Sequence, residues 1–99
     1  MSLRVEFRPE AAADLFSARD WYEKQRRGLG EVFSTAVESA VTRITAMPEM
    51  YVKALRDVRR VKVRKFPYLI YYRVFSDRIE MIAVLHASRD PHLWQERVN

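Results

Sequence analysis

From Leu29 to Met47 the apolar residues return at helical spacing. Leu29, Val32, Phe33, Ala36, Val37, Ala40, Ile44 and Met47 form one stripe, while Glu31, Thr35, Glu38, Ser39, Thr42 and Arg43 fill the opposite side. Such a helix gains its stability by covering the stripe, so the rest of the chain must supply the cover. Pro48 ends the run, because the residue before a proline is pushed out of the helical region. Upstream, Ala11, Leu15, Ala18 and Tyr22 fall at i, i+4, i+7 and i+11 and predict a first helix. Pro9 suits its first position, Glu10 and Asp14 lie toward its positive end, and Lys24, Arg26 and Arg27 lie at its negative end. The only two glycines, Gly28 and Gly30, bracket Leu29 between these runs. Gly28 is expected to be the left-handed cap, and the two helices to form an antiparallel hairpin.

Around the hairpin the period changes to two. Leu3, Val5 and Phe7 alternate with Arg4, Glu6 and Arg8, which predicts a half-buried first strand. After a turn-like stretch at Pro48 and Glu49, residues 59–65 set Val61 and Val63 against Arg60, Lys62 and Arg64, a strand with an apolar and a cationic face. Pro67 opens the run 68–74, aromatic and β-branched and apolar on both faces apart from Arg73. Ser76 and Asp77 make a hairpin turn into 79–85, which is apolar on both faces apart from Glu80 and so reads as central. A short helix is expected over 91–97, with Asp90 as cap and Pro91 at the first position. The predicted architecture is α+β, one domain over residues 1–99 in the order β-α-α-β-β-β. It consists of an N-terminal strand, a helical hairpin, a three-stranded antiparallel meander and a short C-terminal helix.

Composition narrows the classes. At 48% hydrophobic and 31% charged, the 99 residues are globular rather than disordered, with one core expected. No cysteine is present, so disulfides and thiolate metal sites are excluded. No run of 18 apolar residues and no signal-peptide pattern occurs, and a cytoplasmic protein is expected. The net charge is +5, and its placement is more telling: Lys53, Arg56, Arg59, Arg60, Lys62, Arg64 and Lys65 stand with one acid, Asp57. Such a segment attracts nucleic acid or an acidic protein surface, or serves as a solvated strand edge that resists aggregation.

Three stretches carry a resemblance. The first is the opening strand with Pro9, Glu10, Ala11, Ala12, Ala13, Asp14 and Leu15, followed by Trp21, Tyr22 and Glu23. The second runs from Arg64 and Lys65 through Phe66, Pro67, Tyr68, Leu69, Ile70, Tyr71, Tyr72 and Arg73 to Val74. The third is Ile82, Ala83, Val84, Leu85, His86, Ala87, Ser88, Arg89, Asp90 and Pro91, with Trp94 beyond. In this order they resemble the ParE/RelE toxin superfamily, and its ParE branch in particular. The resemblance implies the RelE/ParE-like fold and the toxin of a type II toxin–antitoxin (plasmid stabilisation) system, silenced by a cognate antitoxin. ParE-like members inhibit DNA gyrase by protein contact; RelE-like members cut messenger RNA in the ribosome. A degenerate toxin that only binds its antitoxin is the third alternative. Either a homodimer or a toxin–antitoxin heteromer is expected.

Partner contact is expected at Arg60, Lys62, Arg64, Arg73, His86 and Arg89. For metal-free RNA cleavage, Arg64 and Arg73 would stabilise phosphorane-like charge, helped by Lys62, and His86 would transfer protons. Ala87 and Ser88 follow His86 where a nuclease of this type has tyrosine or lysine, and no basic-aromatic tail is present, which weighs against cleavage. The bland readings are that His86 bonds to the turn after it, that Arg89 and Asp90 form a structural pair or helix cap, and that Tyr68, Tyr71, Tyr72, Trp21 and Trp94 pack. His86 and His92 match no metal-ligand spacing, and with no phosphate-binding loop or hydrolase motif present, no cofactor is expected.

Overall fold

The computed structural model describes residues 3–98. The chain runs β1 (Arg4–Phe7), α1 (Pro9–Gln25), α2 (Leu29–Ala46), β2 (Lys53–Leu55), β3 (Val58–Lys62), β4 (Tyr68–Val74), β5 (Arg78–His86), α3 (His92–Gln95) and a 3₁₀ turn, Glu96–Val98. Among the described residues the strands form one five-stranded sheet, ordered β1-β5-β4-β3-β2. β1 lies parallel to β5, and the other pairs are antiparallel. No helix among them is long and apolar enough to cross a membrane.

The expected order is present, with four differences. Lys53–Leu55 adds an edge strand where only a turn-like stretch was expected; at three residues it is too short to show a period. The strand expected over 59–65 is β3 and stops at Lys62, because Lys65 takes a left-handed φ of 71° that turns the chain back. The terminal helix is only His92–Gln95 and passes into the 3₁₀ turn; its N-cap is Pro91 rather than Asp90, because the helix starts one residue later than expected, and Asp90 Oδ1 accepts the His92 N–H at 3.0 Å from outside the cap. Trp21, expected to pack over the core, is 56% exposed: it stands one residue off the α1 stripe and meets Tyr22 edge-on.

Both glycines of the hairpin have a physical reason. Gly28 has φ +89°, which only glycine adopts without strain. A Cβ on Gly30 would lie 2.8 Å from the Arg19 carbonyl oxygen, so glycine here lets α1 and α2 approach. The Glu23 carboxylate accepts the N–H groups of Gly28 (2.9 Å) and Gly30 (3.0 Å), filling the start of α2 from the neighbouring helix. Those backbone donors hold its pKa below the usual carboxylate range.

The helices cover one sheet face. Ala11, Ala18, Phe33, Val37, Ala40 and Ile44 pack on Val61, Ile70, Tyr72, Ile79, Met81 and Val84. The opposite face, built from Val58, Tyr71, Ile82, Ala83 and Leu85, is covered by Trp94, which stacks on Tyr71 at 4.5 Å. Two-sided burial accounts for the apolar pattern on both faces of β4 and β5.

The outer edge of β5 is the least regular part of the sheet. Between Tyr71 and Tyr72 the pairing steps from Ala83 to Met81, leaving Ile82 as a bulge. β1 stops at the same level: Arg8 N–H reaches the Met81 carbonyl (3.0 Å), and Pro9 then starts α1. The unpaired groups beyond are filled by side chains. Asp14 Oδ2 accepts the Val84 N–H (3.1 Å), and Arg97 Nη1 donates to the Ile82 carbonyl (3.1 Å). Asp14 and Arg97 are themselves joined by two bonds of 2.6 and 3.1 Å. Their side chains are only 12% and 16% exposed, and the carboxylate raises the pKa of Arg97. Asp14, read from the sequence as a dipole partner for α1, is thus one half of a clamp between α1, β5 and the chain's end.

Removing either partner strands the other beside unpaired backbone. Asp14→Ala and Arg97→Ala should each cost about 2–3 kcal/mol by urea denaturation. The double variant should cost clearly less than their sum, and simple additivity would disprove the clamp. A second prediction concerns Tyr72, fully buried, whose hydroxyl donates to the Pro48 carbonyl at 2.6 Å. Burial pushes its pKa from 10.0 to about 12. The folded state therefore holds this proton more tightly than the unfolded chain does. Its stabilisation is complete below the unfolded value and fades as pH rises from 10.0 to about 12. Urea midpoints of the native chain should fall across that interval more steeply than those of Tyr72→Phe; parallel curves would count against it.

Candidate protein-docking surface

The basic segment divides into cations that hold the fold and cations that face solvent. Arg59 Nη1 donates to the carbonyls of Glu49 (2.9 Å) and Tyr51 (2.8 Å), tying β3 to the segment between α2 and β2. Lys62 Nζ turns onto the carbonyls of Val63 (3.1 Å) and Phe66 (3.2 Å), pinning the β3–β4 turn. Arg43 of α2 adds a bond to the Lys62 carbonyl at 3.2 Å. Arg73 lies 3.3 Å from Asp57. Lys53, Arg56, Arg60, Arg64 and Lys65 are exposed and make no ion pair among the described residues. Lys53 stands on β2 beside Arg59, and the others are spread along β3 and its flanking turns, roughly 25 Å at a strand's rise per residue.

The six expected contact residues do not form one cluster. Arg60 is exposed on β3 and pairs in register with Tyr71, midway along the sheet. Arg73 pairs with Val58 near the far end of β4. His86 pairs with Tyr68 at the other end, its ring edge-on to Tyr68 at 5.4 Å. Tyr68 and Arg73 are five positions apart, about 17 Å of strand, and this odd spacing puts Arg73 and His86 on opposite faces. His86 Nδ1 accepts the Ser88 N–H at 3.0 Å and lies 2.8 Å from Ser88 Oγ. Arg89 is exposed just beyond, its N–H bonded to the His86 carbonyl at 3.0 Å. Asp90 pairs with His92 at 3.0 Å rather than with Arg89. Arg64, His86 and Arg89 therefore share one end of the molecule, while Arg60 and Arg73 lie apart from it and Lys62 is engaged in its turn.

That end also carries a groove of about 450 Å³ between α2 and the β3–β4 turn, lined by Val32, Ala36 and Phe66 with Arg64 and Lys65 at its rim. Val32, counted in the α2 stripe from the sequence, is 49% exposed. Beneath lies an aromatic cluster in which Tyr22 packs on Phe66 (4.9 Å) and Phe33 on Tyr68 (5.1 Å), both edge-on. Burial raises the pKa of Tyr22 and Tyr68, so both stay neutral packing groups. The geometry offers an apolar groove bordered by Arg64 and Lys65 on the turn side and by Glu31 on the α2 side. Only the tertiary fold brings this groove together, since its walls come from α2 and a turn far along the chain.

Residues 5–91 match the family described as ParE toxin of type II toxin-antitoxin system, parDE. Toxin ParE2 of Mycobacterium tuberculosis is 22% identical over 100 aligned positions, covering all of this chain and 95% of that protein. Among solved structures, the chromosomal ParDE system from P. aeruginosa aligns with TM-score 0.65 and 19% identity, over 85% of this chain and 95% of that one. A mutant E. coli toxin RelE in the free state aligns with TM-score 0.73 and 16% identity, over 99% and 96%. RelE in complex with an antitoxin RelB peptide gives TM-score 0.64 and 17% identity, over 100% and 97%. The two RelE likenesses speak for the fold, and the family match across most of the chain speaks for descent: this chain belongs to the ParE toxin family of type II toxin–antitoxin systems.

Proposed function

We propose that the chain, acting in the cytoplasm as a single domain, inhibits DNA gyrase by protein contact and is neutralised by a cognate antitoxin laid over its apolar groove and cationic rim. The observation that carries this reading is the separation of Arg73 from the other candidate catalytic groups: it lies at the opposite end and face of the β4–β5 hairpin from His86, whose end Arg64 shares, and His86 Nδ1 is bonded to Ser88. General acid–base cleavage needs its groups within hydrogen-bond reach of one phosphate. Contact inhibition needs only a surface, and the open groove with Arg64 and Lys65 at its rim supplies one. An antitoxin helix or strand can bury its apolar face there.

Ribosome-dependent RNA cleavage by Arg64, Arg73 and His86 is kept as the second reading because the fold is as close to RelE as to ParE. One pair of assays separates the two. On expression without antitoxin, His86→Ala should retain killing, purified gyrase should lose supercoiling activity, and transcripts should remain whole. Loss of killing in that variant together with cut messages would transfer the assignment to cleavage. Normal growth with the native chain would leave a degenerate toxin that only binds its antitoxin.

A further inference from the structure

We propose that the end of the molecule formed by the hairpin tip, the β3–β4 turn and the segment after β5 is the surface that engages the target. It takes a protein face that presents carboxylates around an apolar socket for Trp21. The proposal rests on the toxin reading above and names the surface that reading requires.

Three observations carry it. The first is convergence. Gly28 of the hairpin tip and Arg64–Phe66 line the same groove, Tyr68 pairs with His86, and the Ala87 N–H bonds to the Pro67 carbonyl at 2.8 Å. Arg26, Arg27, Arg64, Lys65 and Arg89, distant in sequence, are thereby brought to one end, all exposed and none ion-paired among the described residues. Of the acids nearby, Glu23 is engaged by the N–H groups of Gly28 and Gly30 and Asp90 by His92, which leaves Glu31 on the α2 side of the groove as the one exposed carboxylate facing five cations.

The second observation is strain. Lys65 has φ 71°, where glycine fits freely and a lysine does not. Arg56 shares this left-handed conformation at φ 51°, but of the two only Lys65 lines the groove, where it presents an exposed cation. The third is Trp21, 56% exposed and touching the aromatic cluster through Tyr22 at 5.1 Å. An exposed tryptophan packed on the cluster beneath the groove has the residue type most enriched at protein–protein hot spots. Single-stranded nucleic acid instead needs successive free ring faces for its bases. Tyr22, Tyr68 and His86 are packed edge to face, Tyr22 on Tyr68 at 5.9 Å and Tyr68 on His86 at 5.4 Å, which favours protein as the occupant.

The test measures growth arrest on expression without antitoxin, with gyrase binding and thermal melting run on the same purified variants. Lys65→Gly is expected to melt about 3 °C higher, since it relieves strain, and yet to kill less and bind gyrase about tenfold more weakly. Trp21→Ala and Arg89→Glu should melt close to the native chain and lose about tenfold in gyrase affinity. Folded variants that kill and bind like the native chain overturn the surface while leaving the toxin reading intact. A native chain that kills without binding gyrase removes the gyrase assignment, and the variants' killing then decides the surface alone. A native chain that does not kill overturns both. Binding of a labelled single-stranded oligonucleotide that the same variants abolish would make the occupant nucleic acid and overturn the protein-docking proposal.

Discussion

β5 is buried on both faces, and that constraint organises the rest of the molecule. From Met81 to Leu85 every residue is buried, so an apolar layer is required above the strand and another below it. The helical hairpin supplies the first, through Ala11 and Ala18 of α1 and the α2 stripe. The chain's end supplies the second, through Trp94. The clamp of Asp14 and Arg97 joins the two layers around the strand's edge. It also satisfies the Val84 N–H and the Ile82 carbonyl, which β1 leaves unpaired when Pro9 turns the chain into α1. Without those side chains the half-open edge would be a template for pairing with another chain.

The same economy shows in the cations. Arg43, Arg59 and Lys62 donate to backbone carbonyls at the seams between α2, β3 and the β3–β4 turn, where a chain reversal leaves carbonyls without ladder partners. A count of positive charge in this segment therefore overstates what is free to meet a partner. What faces solvent is a smaller set strung along β3, with Arg64 and Lys65 beside the groove. Long-range attraction of an acidic surface depends on the whole set, whereas specificity depends on the few charges that border an apolar contact.

Membership of the ParE family and likeness to RelE describe one scaffold that holds different sites. Nuclease chemistry on such a scaffold demands that base, acid and cations meet at one phosphate. In this chain Arg73 is separated from Arg64 and His86 by the length of the β4–β5 hairpin, and the histidine is held by its own turn. A toxin that works by contact has no such requirement, and an exposed tryptophan with unpaired arginines suits it.

Much of the fold was legible in the residues. The α2 stripe, the paired glycines, Pro48 and the two-sided apolar runs of β4 and β5 set the order of elements, because each is a local pattern with a single period. The packing of Trp94 was also read correctly, while the His86 side chain bonds to Ser88 rather than to Arg89 or Asp90. Hidden were β2, too short to carry a period, and the end of β3, where Lys65 adopts a conformation that its residue type does not announce. Trp21 misled because an aromatic residue beside a stripe looks like part of it. Asp14 and Arg97 stand at opposite ends of the chain, and nothing in either neighbourhood points to the other. Local sequence determined the helices, the central strands and the family, since spacing and turn chemistry act between near neighbours. Tertiary structure alone decided which charges are spent inside and which groups share a surface, because those depend on contacts between residues that only folding brings together.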